Sequence, residues 1–115
     1  MLLTHSNTRI WICTAPTDMR RSYPGLIALV KNHLAHNPLS GELFVFINRK
    51  RTHMKVLYFD TGGYCIWGKR LEQGSFAAPR SAQVCESVSW AQLNCLIDGV
   101  ELHVIKQRLR YPHSG

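Results

Sequence analysis

Residues 42–60, ELFVFINRKRTHMKVLYFD, constrain the fold of this chain more than any other stretch. Two apolar runs, residues 43–47 and 54–59, flank a short basic segment. Each is strand-length, rich in Val, Ile, Phe and Tyr, and free of Pro and Gly. Leu43, Val45 and Ile47 alternate with Phe44 and Phe46, so both faces of the first run are apolar. Such a run suits a strand covered on both sides, which predicts a hairpin at the centre of a sheet. The tip has the opposite character. Arg49, Lys50 and Arg51, followed by His53 and Lys55, collect positive charge where the chain turns through solvent.

With 115 residues the chain is long enough for one hydrophobic core, and we expect a single domain over 1–115, with 1–8 and 106–115 as flexible tails. Apolar content of 45% and charged content of 18% exclude wholesale disorder. The charge balance is uneven: fourteen Lys and Arg against seven Asp and Glu give +7, which favours polyanionic partners. Solubility is the simpler explanation for such an excess, and charge alone does not choose between the two. Cys13, Cys65, Cys85 and Cys95 are widely spaced, with no C-x-x-C pair and no zinc-ligand spacing, and read as buried thiols acting as small hydrophobes. The opening MLLTHSNTR lacks the charged start and long apolar stretch of a secretion signal, and no apolar run reaches the length of a membrane span. The expected compartment is the reducing cytoplasm, with no membrane partner.

Residues 9–13, RIWIC, form a short β-like run closed by Ala15-Pro16. In TDMRRSYPGL, Thr17 or Asp18 is placed to cap a turn, and Pro24 suits the first turn of a helix. Leu26, Ile27, Leu29, Val30 and Leu34 then share one helical stripe to about residue 35. After the hairpin, Thr61-Gly62-Gly63 is a tight turn into a third antiparallel strand, YCIW. GSFAAP reads as a short further strand, and residues 80–88 as a polar loop. Ser89 and Gln92 make a capping box for a second helix of about nine or ten residues, with Trp90, Leu93, Leu96 and Ile97 on its apolar stripe and Gly99 as its C′ residue. Residues 100–105 alternate weakly as an edge strand, and Lys106, Arg108 and Arg110 follow in a basic tail. The fold class is α+β: an antiparallel sheet of about four to five strands with two helices on one face.

No pattern here demands catalysis. The seven carboxylates form no paired motif of the kind that converges on a catalytic metal, and no G-x-S-x-G elbow occurs. A Cys–His or Ser–His–Asp arrangement needs only to meet in space, so composition leaves it open. We therefore expect a non-enzyme with no catalytic residue, no metal and no cofactor. The cationic residues stand out instead. Arg49, Lys50, Arg51 and Lys55 at the hairpin, Arg20 and Arg21 before the first helix, and Lys69 and Arg70 after the third strand are placed to line one end of the sheet, because the third strand runs in the direction of the first hairpin strand. Arginine offers forked donors to phosphate and lysine a point charge. For the tip alone, a solvated turn is the plainer reading. Tyr58, Tyr64 and Trp67 read as core or sheet-face residues rather than a base-stacking platform.

The ordered segments TDMRRSYPGLIALV, NPLSGELFVFINRKR, MKVLYFDTGGYCIWGKRLEQGSF and SWAQLNCLIDGV span most of residues 10–100. In their order and spacing they resemble the insertion-sequence sixty-six family of transposon accessory proteins (TnpB, the second-open-reading-frame products). Asp18, Arg20, Gly25, Lys55, Asp60, Gly62, Lys69, Arg70, Gly74 and Phe76 stand at family-motif positions. Trp67-Gly68 departs from the more usual aromatic ending before Lys69, and the tail after Val100 is this chain's own. The resemblance implies a non-catalytic accessory role in transposition beside a separate transposase that cuts the strands. Two mechanisms follow. In one, the basic hairpin end binds the DNA of the element ends; in the other, an interaction module docks on the transposase or self-associates as a homo-oligomer, without touching DNA.

Overall fold

A computed structural model describes residues 7–78 and 83–101 of the chain. Its centre is a five-stranded sheet built from β1 (Ile10–Cys13), β2 (Leu43–Ile47), β3 (His53–Asp60), β4 (Gly63–Arg70) and, later in the chain, β6 (Cys85–Val88). The spatial order is β4-β3-β2-β1-β6. A two-stranded ribbon pairs β5 (Ser75–Phe76) with β7 (Val100–Glu101). Helix α1 (Tyr23–Ala28) runs on into a wider π-helical turn, Leu29–His33, and helix α2 (Trp90–Asp98) follows β6.

The hairpin lies where its composition predicts. Every residue of β2 is buried, and β2 pairs on both sides, antiparallel to β3 and parallel to β1. The α+β class and the five strands agree with the sequence; the arrangement of the helices does not. Leu43, Val45, Ile47, Met54 and Val56 pack with Leu93, Leu96 and Ile97 of α2, whereas Phe44, Phe46 and Leu57 pack with Leu26 of α1, Val30 of the π-helical turn and Leu34. The helices therefore cover opposite faces of the sheet, not one. The period-2 alternation of β2 is the physical reason: helices on a single face would have left Phe44 and Phe46 in water, at about 1.5–3 kcal/mol for each unburied large side chain.

Two further features differ from the expectation. The sheet is mixed, because the segment from β1 to β2 carries α1 across one face and returns parallel, as a long crossover does. Residues 85–88, expected as loop, form β6 antiparallel to β1. Polar CESV resembles no buried strand, yet at a sheet edge its backbone pairing suffices. The third strand is longer than YCIW and pairs with β3 without a break, from Asp60↔Gly63 to His53↔Arg70.

Local signals account for most ends. Ser89 Oγ accepts from the Gln92 amide (3.1 Å) and Gln92 Oε1 from the Ser89 amide (2.7 Å), the expected capping box. Gly99 closes α2 in an extended conformation (φ −88°), not the left-handed one of a C′ glycine; it is needed for space, since a Cβ there would lie 2.6 Å from the Cys95 carbonyl oxygen. Thr61 (φ 43°) and Gly62 (φ 81°) make a two-residue turn with both central residues left-handed, matching the twist of the strands they join. Of the four thiols, all free, Cys13 is buried, Cys65 and Cys85 are half-buried, and Cys95 is exposed on α2, contrary to its expected burial. The basic tail and the expected strand beyond residue 101 lie outside the described residues, as do the flanking tails apart from residues 7 and 8. No described helix is long and apolar enough to cross a membrane.

Candidate nucleic-acid interface

The hairpin turn is built by Asn48. Its Oδ1 accepts from the amides of Thr52 (2.8 Å) and His53 (3.0 Å), and its Nδ2 donates to Thr52 Oγ1 (3.2 Å). The Arg51 amide returns to the Asn48 carbonyl (3.0 Å), which forces Arg51 to a left-handed φ of 59°. A side chain competing for its neighbours' backbone donors is what Asn does well in turns. The turn therefore projects Arg49 and Lys50 into solvent, with Arg51 half-buried beside them. The Arg51 carbonyl accepts from the amide of buried Phe76, tying β5 under the tip.

The segment after β1 closes on the same end. Buried Thr17 donates its amide to the Ile47 carbonyl (3.0 Å) at the end of β2. Residues 16–19 thus face Asn48, Arg49 and Lys50 across an open cleft of about 560 Å³. Asp18 folds this segment into a turn, accepting from the Arg20 amide (2.9 Å) and pairing with the Arg20 guanidinium at 2.7 Å. The Arg20 hydrogen bonds hold the exposed Asp18 carboxyl down at about 2. Gly25 leaves room for the stem of Arg21: a Cβ there would lie 3.1 Å from Arg21 Cβ.

Two lysines brace the end from opposite faces. Lys55 Nζ donates to the carbonyls of Met19 (2.8 Å) and Arg21 (2.9 Å), fixing the lead-in to α1. Lys69 Nζ donates to the Ile97 carbonyl (2.9 Å) in the last turn of α2, where an orphan acceptor and the helix dipole both favour a cation. His53 sits opposite Arg70; burial foremost, then Lys55 and Arg70, pull its pKa below the ordinary 6.5.

All eight cations singled out from the sequence therefore gather at one end of the sheet, in unequal roles. Lys55 and Lys69 hold backbone carbonyls, and Arg20 is paired with Asp18. Arg70 has a loose, largely exposed contact with Glu72 at 3.9 Å. Arg21, Arg49, Lys50 and Arg51 have no carboxylate partner among the described residues. The sequence offered no sign of the two lysine braces, whose acceptors lie far away in the chain.

The open question of a Cys–His arrangement has a local answer. His36 lies against Trp11 (ring centroids 4.3 Å, planes tilted by 41°), and its Nε2 lies 3.7 Å from Cys85 Sγ. Burial pushes the Cys85 thiol upward, the reverse of an activated thiolate. Glu42 accepts from Trp11 Nε1 at 3.2 Å. Among the described residues no three His, Cys, Asp or Glu side chains group as metal ligands.

Comparison with known proteins agrees with the segments noted above. The family model described as IS66 Orf2 like protein matches residues 8–107. The chain is 41% identical over 101 residues to the uncharacterized protein y4hO of Sinorhizobium fredii, covering 88% of each chain. It is 31% identical over 100 residues to y4jC of the same organism, covering 87% of this chain and 86% of the other. No solved structure gives a significant match. With the family match spanning nearly the whole described chain, the protein belongs to the IS66 Orf2-like family, whose role is that of an accessory to transposition.

Proposed function

We propose that this accessory protein binds DNA through its cationic sheet end, contacting phosphates with Arg21, Arg49, Lys50, Arg51 and Arg70 while Lys55 and Lys69 hold the platform rigid. The observation that carries this reading is the convergence of cations from three chain segments onto one end, most of them free of carboxylates. Forked guanidinium donors suit phosphate oxygens, and the turn's backbone, held by Asn48, needs no ordering on binding. The natural target is the element's own ends, handled together with the transposase of the same element. A salt-dependent titration on element-end and random duplexes tests it; absence of binding at low salt on both overturns it.

A second reading, docking on the transposase without DNA contact, is favoured by an apolar groove of about 420 Å³ beside α2, lined by Ile12, Ala77, Val88, Ala91 and Leu96. Co-purification of the two proteins from nuclease-treated extracts separates it from the first.

A further inference from the structure

We infer that the outer edge of β4 is a self-association surface, on which a second copy of this chain lays its own β4 antiparallel across a twofold axis to extend the sheet. β4 is an eight-residue edge strand, and no described strand pairs with its outer side. Proteins usually blunt such an edge with proline, a bulge, brevity or a central charge. β4 has none of these: its pairing with β3 is unbroken, its centre is Tyr64-Cys65-Ile66-Trp67, and its charges stand only at the Lys69–Arg70 end. The opposite edge, β6, has four residues and carries Glu86.

The two-residue turn makes Asp60 and Gly63 the first hydrogen-bonded pair, so the amides and carbonyls of Tyr64, Ile66, Gly68 and Arg70 point away from the sheet. At Gly68 a Cβ would meet only ordinary contacts, 3.6 Å to the Met54 oxygen, so glycine is not required for packing within one copy. A bare backbone at an edge suits the close approach of another.

Charge selects the occupant and its direction. A parallel second copy would set like Lys69–Arg70 ends side by side. An antiparallel copy instead brings each Arg70 beside the other's Asp60–Gly63 turn, where Asp60 is exposed and in no ion pair among the described residues. The same geometry points the two cationic ends in opposite directions. Resting on the DNA reading above, this makes the dimer a bridge between two duplexes rather than a clamp on one.

The test uses the full chain without DNA. Sedimentation from roughly 1 to 200 µM should show a monomer–dimer equilibrium, as expected for a small interface. Amide exchange over the same range should show protection rising with concentration at Tyr64, Ile66, Gly68 and Arg70, with the inward amides of Cys65 and Trp67 unchanged. Gly68→Pro deletes one outward donor per copy, and Gly68→Lys adds like charge at the seam; each should weaken association about tenfold or more. A monomer throughout, protection independent of concentration, or a dimer indifferent to both substitutions overturns the inference. Should a variant fail to fold, the exchange pattern of the unaltered chain decides. A failed dimer leaves DNA binding standing, and failed DNA binding leaves the dimer.

Discussion

Replacing Arg49 and Lys50 by Ala and Arg51 by Gly strips the tip of charge without disturbing what holds it. Arg49 and Lys50 are exposed and make no hydrogen bond among the described residues through their side chains, and Arg51 sits at a left-handed φ that glycine adopts without strain. Asn48, which ties the turn, is untouched. Of the eight gathered cations, three are engaged within the fold, leaving five for phosphate. Five contacts give a slope of log affinity on log salt of about −4.5; the triple variant, with two contacts, gives about −1.8. Between 50 and 200 mM salt the parent should lose affinity by about 500-fold and the variant by only about 12-fold. Fluorescence anisotropy with a labelled duplex measures both, beside circular dichroism to establish that the variant is folded. A folded variant with the parental slope would refute the assignment of contacts to the tip.

Other expectations follow from the same geometry. Asp18→Asn releases Arg20 and removes a negative charge, so DNA affinity should rise and the salt slope steepen by about 0.9, read in the same titration. Lys69→Met leaves the Ile97 carbonyl without its cation and should cost about 1–2 kcal/mol of stability by urea denaturation, with the salt slope unchanged. Thr61→Asn suits the left-handed φ of 43° better than a β-branched residue and should raise stability by roughly 0.5–1 kcal/mol, seen as a higher urea midpoint. His53 titrates below 6.5 when folded, so the unfolded chain takes its proton first; stability is full above about 6.5 and falls as the pH drops toward the folded value. Urea midpoints at pH 7.5 and 5.5 should show this fall, and His53→Gln should reduce it.

What the sequence made legible was local or periodic. Ser89 and Gln92 lie three residues apart, and the capping box formed where the spacing put it. The alternation of β2 already required cover on both faces, yet a one-sided packing of helices contradicts that requirement; the burial of Phe44 and Phe46 resolves the conflict. What stayed hidden depended on partners distant in the chain. CESV becomes a strand only because β1 offers it a free edge, pairing Ile10 with Val88 and Cys13 with Cys85. The gathering of cations was readable from strand direction, but their division into braces and free donors was not. That division depends on where carbonyls more than thirty residues away come to rest for Lys55, and nearly as far for Lys69.

The division also has a chemical logic. An ammonium is a compact, strongly hydrated charge with three donors on a flexible stem, suited to collecting backbone carbonyls such as those of Met19 and Arg21. A guanidinium is planar and delocalised, loses less on partial dehydration, and matches two phosphate oxygens at once. Here the two strand lysines, Lys55 and Lys69, hold carbonyls, whereas Arg21, Arg49 and Arg51, with Lys50 at the tip, have no carboxylate partner among the described residues, and Arg70 has only its loose contact with Glu72. Had the charge served solubility alone, nothing would set the carbonyl-holding strand lysines apart from the free cations of the tip, and Lys and Arg would exchange freely between the two roles. Lys55→Arg and Arg49→Lys together keep the net charge constant while reversing the assignment, so a loss of DNA affinity in that pair would follow from placement and not from charge.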